Sequence, residues 1–149
     1  MINKKLFNKQ QIHYLILHWL RLLLTNGNKL KNFTLINKIF FLIKKATTSN
    51  PFMIILKSIK NVEPFCEVKN LKIKGVVRKV PVAIYPKRQK ILAIKLLVIN
   101  SKMRKEKTFV KKLSLEFLDS IAFTGKSLQN CADFHKIAET NKIFIQYRN

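Results

Sequence analysis

Apolar positions recur at spacings of three and four along most of the chain, and that period breaks once, near the middle. Ile12, Leu15, Ile16, Trp19 and Leu23 predict a first helix over about 12–24, closed by Asn26-Gly27. Phe33, Ile36, Phe40 and Ile43 share the face of a second. Ser49-Asn50-Pro51 reads as a cap and a first-turn proline, opening a third helix with Phe52, Ile55, Leu56, Ile59 and Val62 on one side. Pro64 cannot continue it. From Phe65 to Tyr85 the period falls to two. Leu71 and Ile73 alternate with Lys72 and Lys74, and after Gly75, Val80, Val82 and Ile84 share a face, so a two-stranded β-ribbon is predicted at about 65–86. Pro81 fits a position where its missing N–H points outward. The segment 91–99 is apolar everywhere except Lys95, as in a helix buried on most sides. Val110, Leu113, Phe117 and Ile121 mark a fifth helix stopped by Thr124-Gly125. A last helix begins near Asn130 and presents Phe134, Ile137, Ala138 and Phe144. The fold class is mainly α: six helices with a protruding ribbon between the third and fourth. With no internal repeat and no linker, the chain reads as one compact domain.

Charge gives this outline a direction. The 149 residues hold 30 Lys+Arg against 7 Asp+Glu, a formal charge of +23. A hydrophobic share of 48% is ordinary for a globular chain of this length, which can bury a core. Such an excess of one sign destabilises a compact state by self-repulsion unless dense negative charge lies against it. The first 62 residues carry 11 cations and no acid, and the stretch between Glu67 and Glu106 carries twelve and no acid. On ordinary soluble surfaces cations alternate with acids; here most lack an internal partner.

Several classes of chemistry are disfavoured. The leucine-rich run from Tyr14 to Leu24 spans about eleven residues and contains His18 and Arg21, whereas crossing a bilayer takes roughly 20 apolar residues. No membrane span is expected. No small-residue cleavage pattern follows that run. Cys66 and Cys131 stand 65 positions apart without Cys-x-x-Cys spacing, so they read as small core residues, and neither a zinc site nor a disulfide framework is indicated. Acid–base catalysis needs positioned carboxylates or histidines. Glu116 and Asp119 are the closest carboxylate pair, best explained by salt pairing with Lys111, Lys112 or the basic break at 102–107. His135 reads as a surface or capping side chain. With no glycine-rich loop for a nucleotide phosphate, the chain is expected to be no enzyme and to take no cofactor, metal or small-molecule substrate.

A lysine-rich hairpin alone is an edge strand guarded against aggregation. Here the ribbon cations Lys69, Lys72, Lys74, Arg78 and Lys79 are joined by Lys29 and Lys31 in the loop after the first helix. Lys87 and the stripe Arg88, Lys95 and Lys102 add a third group. Convergence of these groups on one face is the footprint of a nucleic-acid binder. Structured RNA is favoured over a DNA operator, because a basic ribbon reads shape and phosphates and no helix looks like an exposed recognition helix. The alternatives are a peripheral membrane protein, its first helix lying in an anionic interface, and a DNA-binding regulator.

Particular residues carry a resemblance. Asn61-Val62-Glu63-Pro64, Glu67-Val68-Lys69, Val80-Pro81-Val82, Pro86, Arg88 and Leu92-Ala93 occur in order. Leu113, Glu116-Phe117 and Gly125 follow, and the end reads His135-Lys136-Ile137-Ala138-Glu139-Thr140-Asn141-Lys142, then Phe144 and Tyr147-Arg148. From about residue 13 onward the chain resembles the universal small-subunit ribosomal protein seven family, more weakly in its N-terminal half. The resemblance implies a six-helix bundle over 13–149 behind a basic N-terminal arm at 1–12. It further implies binding to the 3′ major (head) domain of small-subunit ribosomal RNA, nucleation of head assembly, neighbouring head proteins, and a ribbon near E-site transfer RNA and the messenger exit. Lys69, Lys72, Arg88, Lys142 and Arg148 fall on family positions that are basic and RNA-facing, and Lys29 fits the basic loop; Tyr147 is a candidate for stacking. The family's paired glycines at the ribbon turn are here Lys74-Gly75, its helix-four tryptophan is Leu96, and its arginine-rich arm is reduced to Lys4, Lys5 and Lys9. Twenty-five of the 30 cations are lysine, glycines number three, and Ile, Asn and Phe abound. These are amino acids with A/T-rich codons, and their abundance points to an organelle-encoded protein, of a mitochondrion rather than a plastid.

Overall fold

The computed structural model describes residues 27–73 and 75–147. The predicted first helix and the basic arm lie outside them, as do Lys74 and Arg148. Gly27 stands at φ +72, a left-handed conformation that glycine adopts at no steric cost. Helix α1 (Lys29–Ala46) follows at once, with Asn28 Oδ1 accepting the Lys31 N–H at 3.1 Å. Ile36, Ile39 and Ile43 are buried along it, so its inward face is turned towards Ile39, and Phe33 is left half exposed. Lys44 and Lys45 complement the negative end of the helix. Helix α2 (Pro51–Val62) opens as predicted, Asn50 accepting the Phe52 N–H and Pro51 in the first turn, and buries Ile54, Ile55, Ile59 and Val62.

The ribbon then forms from β1 (Cys66–Ile73) and β2 (Val76–Ala83), antiparallel, with Ile73 opposite Val76 and Cys66 opposite Ala83. Gly75 takes φ +83 at the turn. The Ile84 N–H donates to the Phe65 carbonyl, and alternation from that bond puts Pro81, opposite Val68, at a non-hydrogen-bonded position, where no ladder bond is lost. The base of the ribbon is covered: Val80 and Pro81 are buried, whereas Val76, Val77, Arg78 and Lys79 are exposed.

Helix α3 (Pro86–Lys102) begins five residues before the apolar run, because Pro86 supplies the fixed φ of a first turn. It buries Ala93, Ile94, Leu96, Leu97 and Val98 while Lys95 stays exposed. Helix α4 (Phe109–Ile121) is central, packing against α1, α2 and α3, with Leu113 and Phe117 buried among them.

Two predicted boundaries are corrected. Gly125 does not act as a left-handed stop. Its φ is −66 and it caps α5 (Lys126–Thr140), while the left-handed residue is Phe123 at φ 60. Glycine is favoured at 125 because a Cβ would sit tightly, at 3.2 Å, against the Ser120 backbone nitrogen and hydroxyl oxygen. The last helix therefore starts at Lys126, not near Asn130. Phe144 lies beyond it, in a separate 3₁₀ segment (Lys142–Tyr147) that packs along β2. The chain is mainly helical, with one antiparallel ribbon between the third and fourth predicted helices. Among the described residues no single helix is long and apolar enough to cross a membrane.

Candidate nucleic-acid interface

The ribbon's register sorts its cations. Partners across the ladder share a face, so Lys69 and Arg78 lie on one side and Lys72 and Lys79 on the other; all four are exposed. On the first side the Arg78 guanidinium lies 5.2 Å from the centre of the Phe144 ring, and Phe144 in turn meets Tyr147 at 6.5 Å. Tyr147 is therefore brought to the same side of the ribbon as Arg78, and Lys142 stands exposed at the start of the same 3₁₀ segment. On the second side Val68, Asn70 and Lys79 line a groove of about 430 Å³ with Leu92, Lys95 and Ile99 of α3 and Phe134 and Ile137 of α5. Lys79 and Lys95 are thus placed at one concavity from two different elements.

Other expected members are not gathered there. Lys29 and Lys31 sit exposed in the first turn of α1, which packs on α2 and α4 and makes no contact with the ribbon or α3. Lys87 and Lys102 stand exposed at the two ends of α3. Arg88 is exposed but already engaged: its Nε and Nη2 donate to the Glu67 carboxylate at 2.7 and 3.0 Å, which holds that carboxyl below its ordinary range. The ribbon cations thus divide between two faces rather than sharing one.

The acids account for this pattern. Arg104, in the basic break after α3, donates to Glu106 at 3.1 Å, Glu116 at 2.8 Å and Asp119 at 2.6 Å. Burial works against the guanidinium's charge, but these three carboxylates outweigh it and hold the proton more firmly than usual. Glu116 is fully buried, and its second oxygen accepts the Ser127 N–H at 3.1 Å and the Ser127 hydroxyl at 2.6 Å, satisfying the first turn of α5. Asn100 extends the network, donating to Ser127 and accepting from Asn130. The carboxylate pair singled out in the sequence is therefore a structural tie to the basic break. Burial pushes the Glu63 carboxyl up against the pull of Lys90 and Lys60. Among the described residues every ion pair runs through Arg88 or Arg104, and no lysine forms one.

Two contacts escaped the sequence reading. His135 Nε2 accepts the Phe65 N–H at 3.1 Å with the rings stacked, pinning the entry of β1 to α5. Phe144 under Arg78 is the other; aromatic identity at a chain end carries no local clue to its partner. Cys131 is buried and Cys66 partly so, burial raising both thiols, and among the described residues no group of His, Cys, Asp and Glu is arranged to hold a metal ion.

Comparison with known proteins agrees with this architecture. The family model described as ribosomal protein S7p/S5e matches residues 1–142. The small ribosomal subunit protein uS7m of Reclinomonas americana is 33% identical over 133 residues, covering 89% of this chain and 84% of that protein. The uS7 proteins of Finegoldia magna and Heliobacterium modesticaldum are 37% identical over 109 residues and 39% over 106, covering 73% and 71% of this chain and 70% and 68% of theirs. The chain belongs to the ribosomal protein S7p/S5e family, structural proteins of the small ribosomal subunit.

Proposed function

We propose that this chain binds the 3′ major (head) domain of small-subunit ribosomal RNA and nucleates assembly of the head, with the ribbon turned towards the E site and the messenger exit and other head proteins as neighbours. The observation that carries the reading is the partition of charge. Four of the seven acids are tied to two arginines, while no described lysine, Lys72, Lys79 and Lys95 among them, forms a salt bridge with an acid. Unpaired lysines on a folded frame suit phosphate neutralisation, where each contact contributes a slope of roughly −0.7 to −0.9 to log affinity against log salt. Residues 1–12 act as a basic arm ahead of a single domain at 13–149, and Lys29, Lys31, Lys74, Lys142 and Arg148 add to the RNA-facing set. The compartment is a mitochondrial matrix, with the protein encoded in the organelle; the abundance of lysine, isoleucine and asparagine, whose codons are A/T-rich, and the likeness to a uS7m protein support this reading.

The test is binding of the full chain to a transcript of the head domain at several salt concentrations. Changing Lys72, Lys79 and Lys95 together to Gln is expected to weaken binding and flatten the salt slope by about two. Unchanged affinity and slope would remove these lysines from the interface. Sedimentation with small subunits from purified mitochondria, and absence from plastid subunits, checks the compartment.

A further inference from the structure

The groove between the ribbon, α3 and α5 combines features that simple phosphate binding does not require. Its walls are apolar: Leu92 and Ile99 from one helix, Phe134 and Ile137 from the other. Ile99, Phe134 and Ile137 each remain about two-fifths exposed, 41%, 43% and 41%, a cost that an occupant would remove. Lys79 and Lys95 stand along it from opposite walls. Glu67, the single carboxylate at the groove, is already held by Arg88. Its free charges are therefore both positive. Asn70 adds an amide that can donate and accept at once.

We infer that this groove receives one unstacked nucleotide of the ribosomal RNA, its base against the apolar walls, its edge read by Asn70 and its flanking phosphates taken by Lys79 and Lys95. The inference rests on the RNA reading above and adds a base-specific seat to it. Sequence-specific RNA recognition works on splayed bases inserted between apolar or aromatic side chains, and about 430 Å³ is room for a base and its sugar. An apolar peptide is less suited, because both free charges at the groove are cations that continue the lysines of the ribbon, a surface complementary to a phosphate backbone.

The test uses the full chain and a transcript of the 3′ major domain of the small-subunit RNA. Ile137→Trp fills the groove from a partly exposed position, and Asn70→Ala removes the amide from the exposed ribbon, so at least one folded variant is available. Ile137→Trp is expected to weaken binding about tenfold with the salt slope unchanged, since no phosphate contact is lost. Chemical probing is expected to show one unpaired nucleotide, protected by the wild-type chain, becoming reactive with both variants. Wild-type affinity and protection in both variants would overturn the inference. So would a variant that keeps its RNA affinity but loses a neighbouring protein from reconstituted subunits, which would make the groove a peptide seat. A wild-type chain that leaves the transcript unbound overturns the RNA reading and this one together, whereas bound wild type with unaffected variants overturns the groove alone.

Discussion

Glu116 shows how a single side chain holds three helices. It sits on α4, pairs with Arg104 beyond the end of α3, and accepts two bonds from Ser127 at the start of α5. A carboxylate this deep is tolerable only because both oxygens are satisfied. Removing it takes one of three carboxylates from Arg104, opens a cavity and leaves the buried Ser127 N–H and hydroxyl without their acceptor. Glu116→Ala is therefore expected to lower stability by about 2 kcal/mol, checked by urea unfolding of the full chain. Glu106→Ala removes a partly exposed member of the same cluster and is expected to do far less. A near-equal loss for the two would mean that burial is not what gives Glu116 its weight.

Among the elements, the ribbon depends on what lies against its base. An isolated two-stranded ribbon is marginal in water; here α5 packs on β1 and the 3₁₀ segment on β2. The Arg78–Phe144 contact ties that segment to the exposed half of the ribbon. In a double-mutant cycle with Arg78→Ala and Phe144→Leu, followed by chemical unfolding, a coupling of about 0.5–1 kcal/mol is expected; additive losses would mean the ring contributes only apolar area. Much of this level was legible in the sequence, since strand alternation placed the ribbon within a residue or two and apolar spacing found α1, α2 and α4. The last helix was mis-started because Gly125 resembles a helix stop, whereas its actual constraint is steric, set by Ser120 across a turn. Phe144 reads as part of the last helix because the apolar period runs straight across the break at Asn141. The site was legible as lysines lacking acids. The arginine pairings were less so, because Glu67–Arg88 spans 21 residues and Arg104–Glu116 spans 12, separations that only tertiary packing brings together.

For the whole molecule, a formal charge of +23 acts on folding and on binding in opposite senses under salt. Screening relieves repulsion among the lysines, the Debye length falling from about 10 Å at 0.1 M to about 3 Å at 1 M. The melting temperature of the RNA-free chain is therefore expected to rise by several degrees from 0.1 to 1 M sodium chloride, measured by calorimetry, while RNA affinity falls over the same range. A melting temperature that drops would mean the buried Arg104 cluster, not surface repulsion, governs the electrostatics of folding. The division of labour between the two cation types has a consequence of its own. Each of the three described arginines fastens something inside the chain: Arg78 to a ring, Arg88 to one carboxylate, Arg104 to three. A lysine ammonium is a point charge without the planar fork those joints use. Lysines that make no such joint, Lys72 among them, can become arginine without disturbing the frame, whereas Lys112, which donates to the Lys102 carbonyl, and the groove pair Lys79 and Lys95 are tied to their places. The three fasteners cannot be exchanged in the same way, and a mutational pressure that turns arginine codons into lysine codons would be felt first in how the helices and ribbon stay joined, before any loss of charge towards RNA.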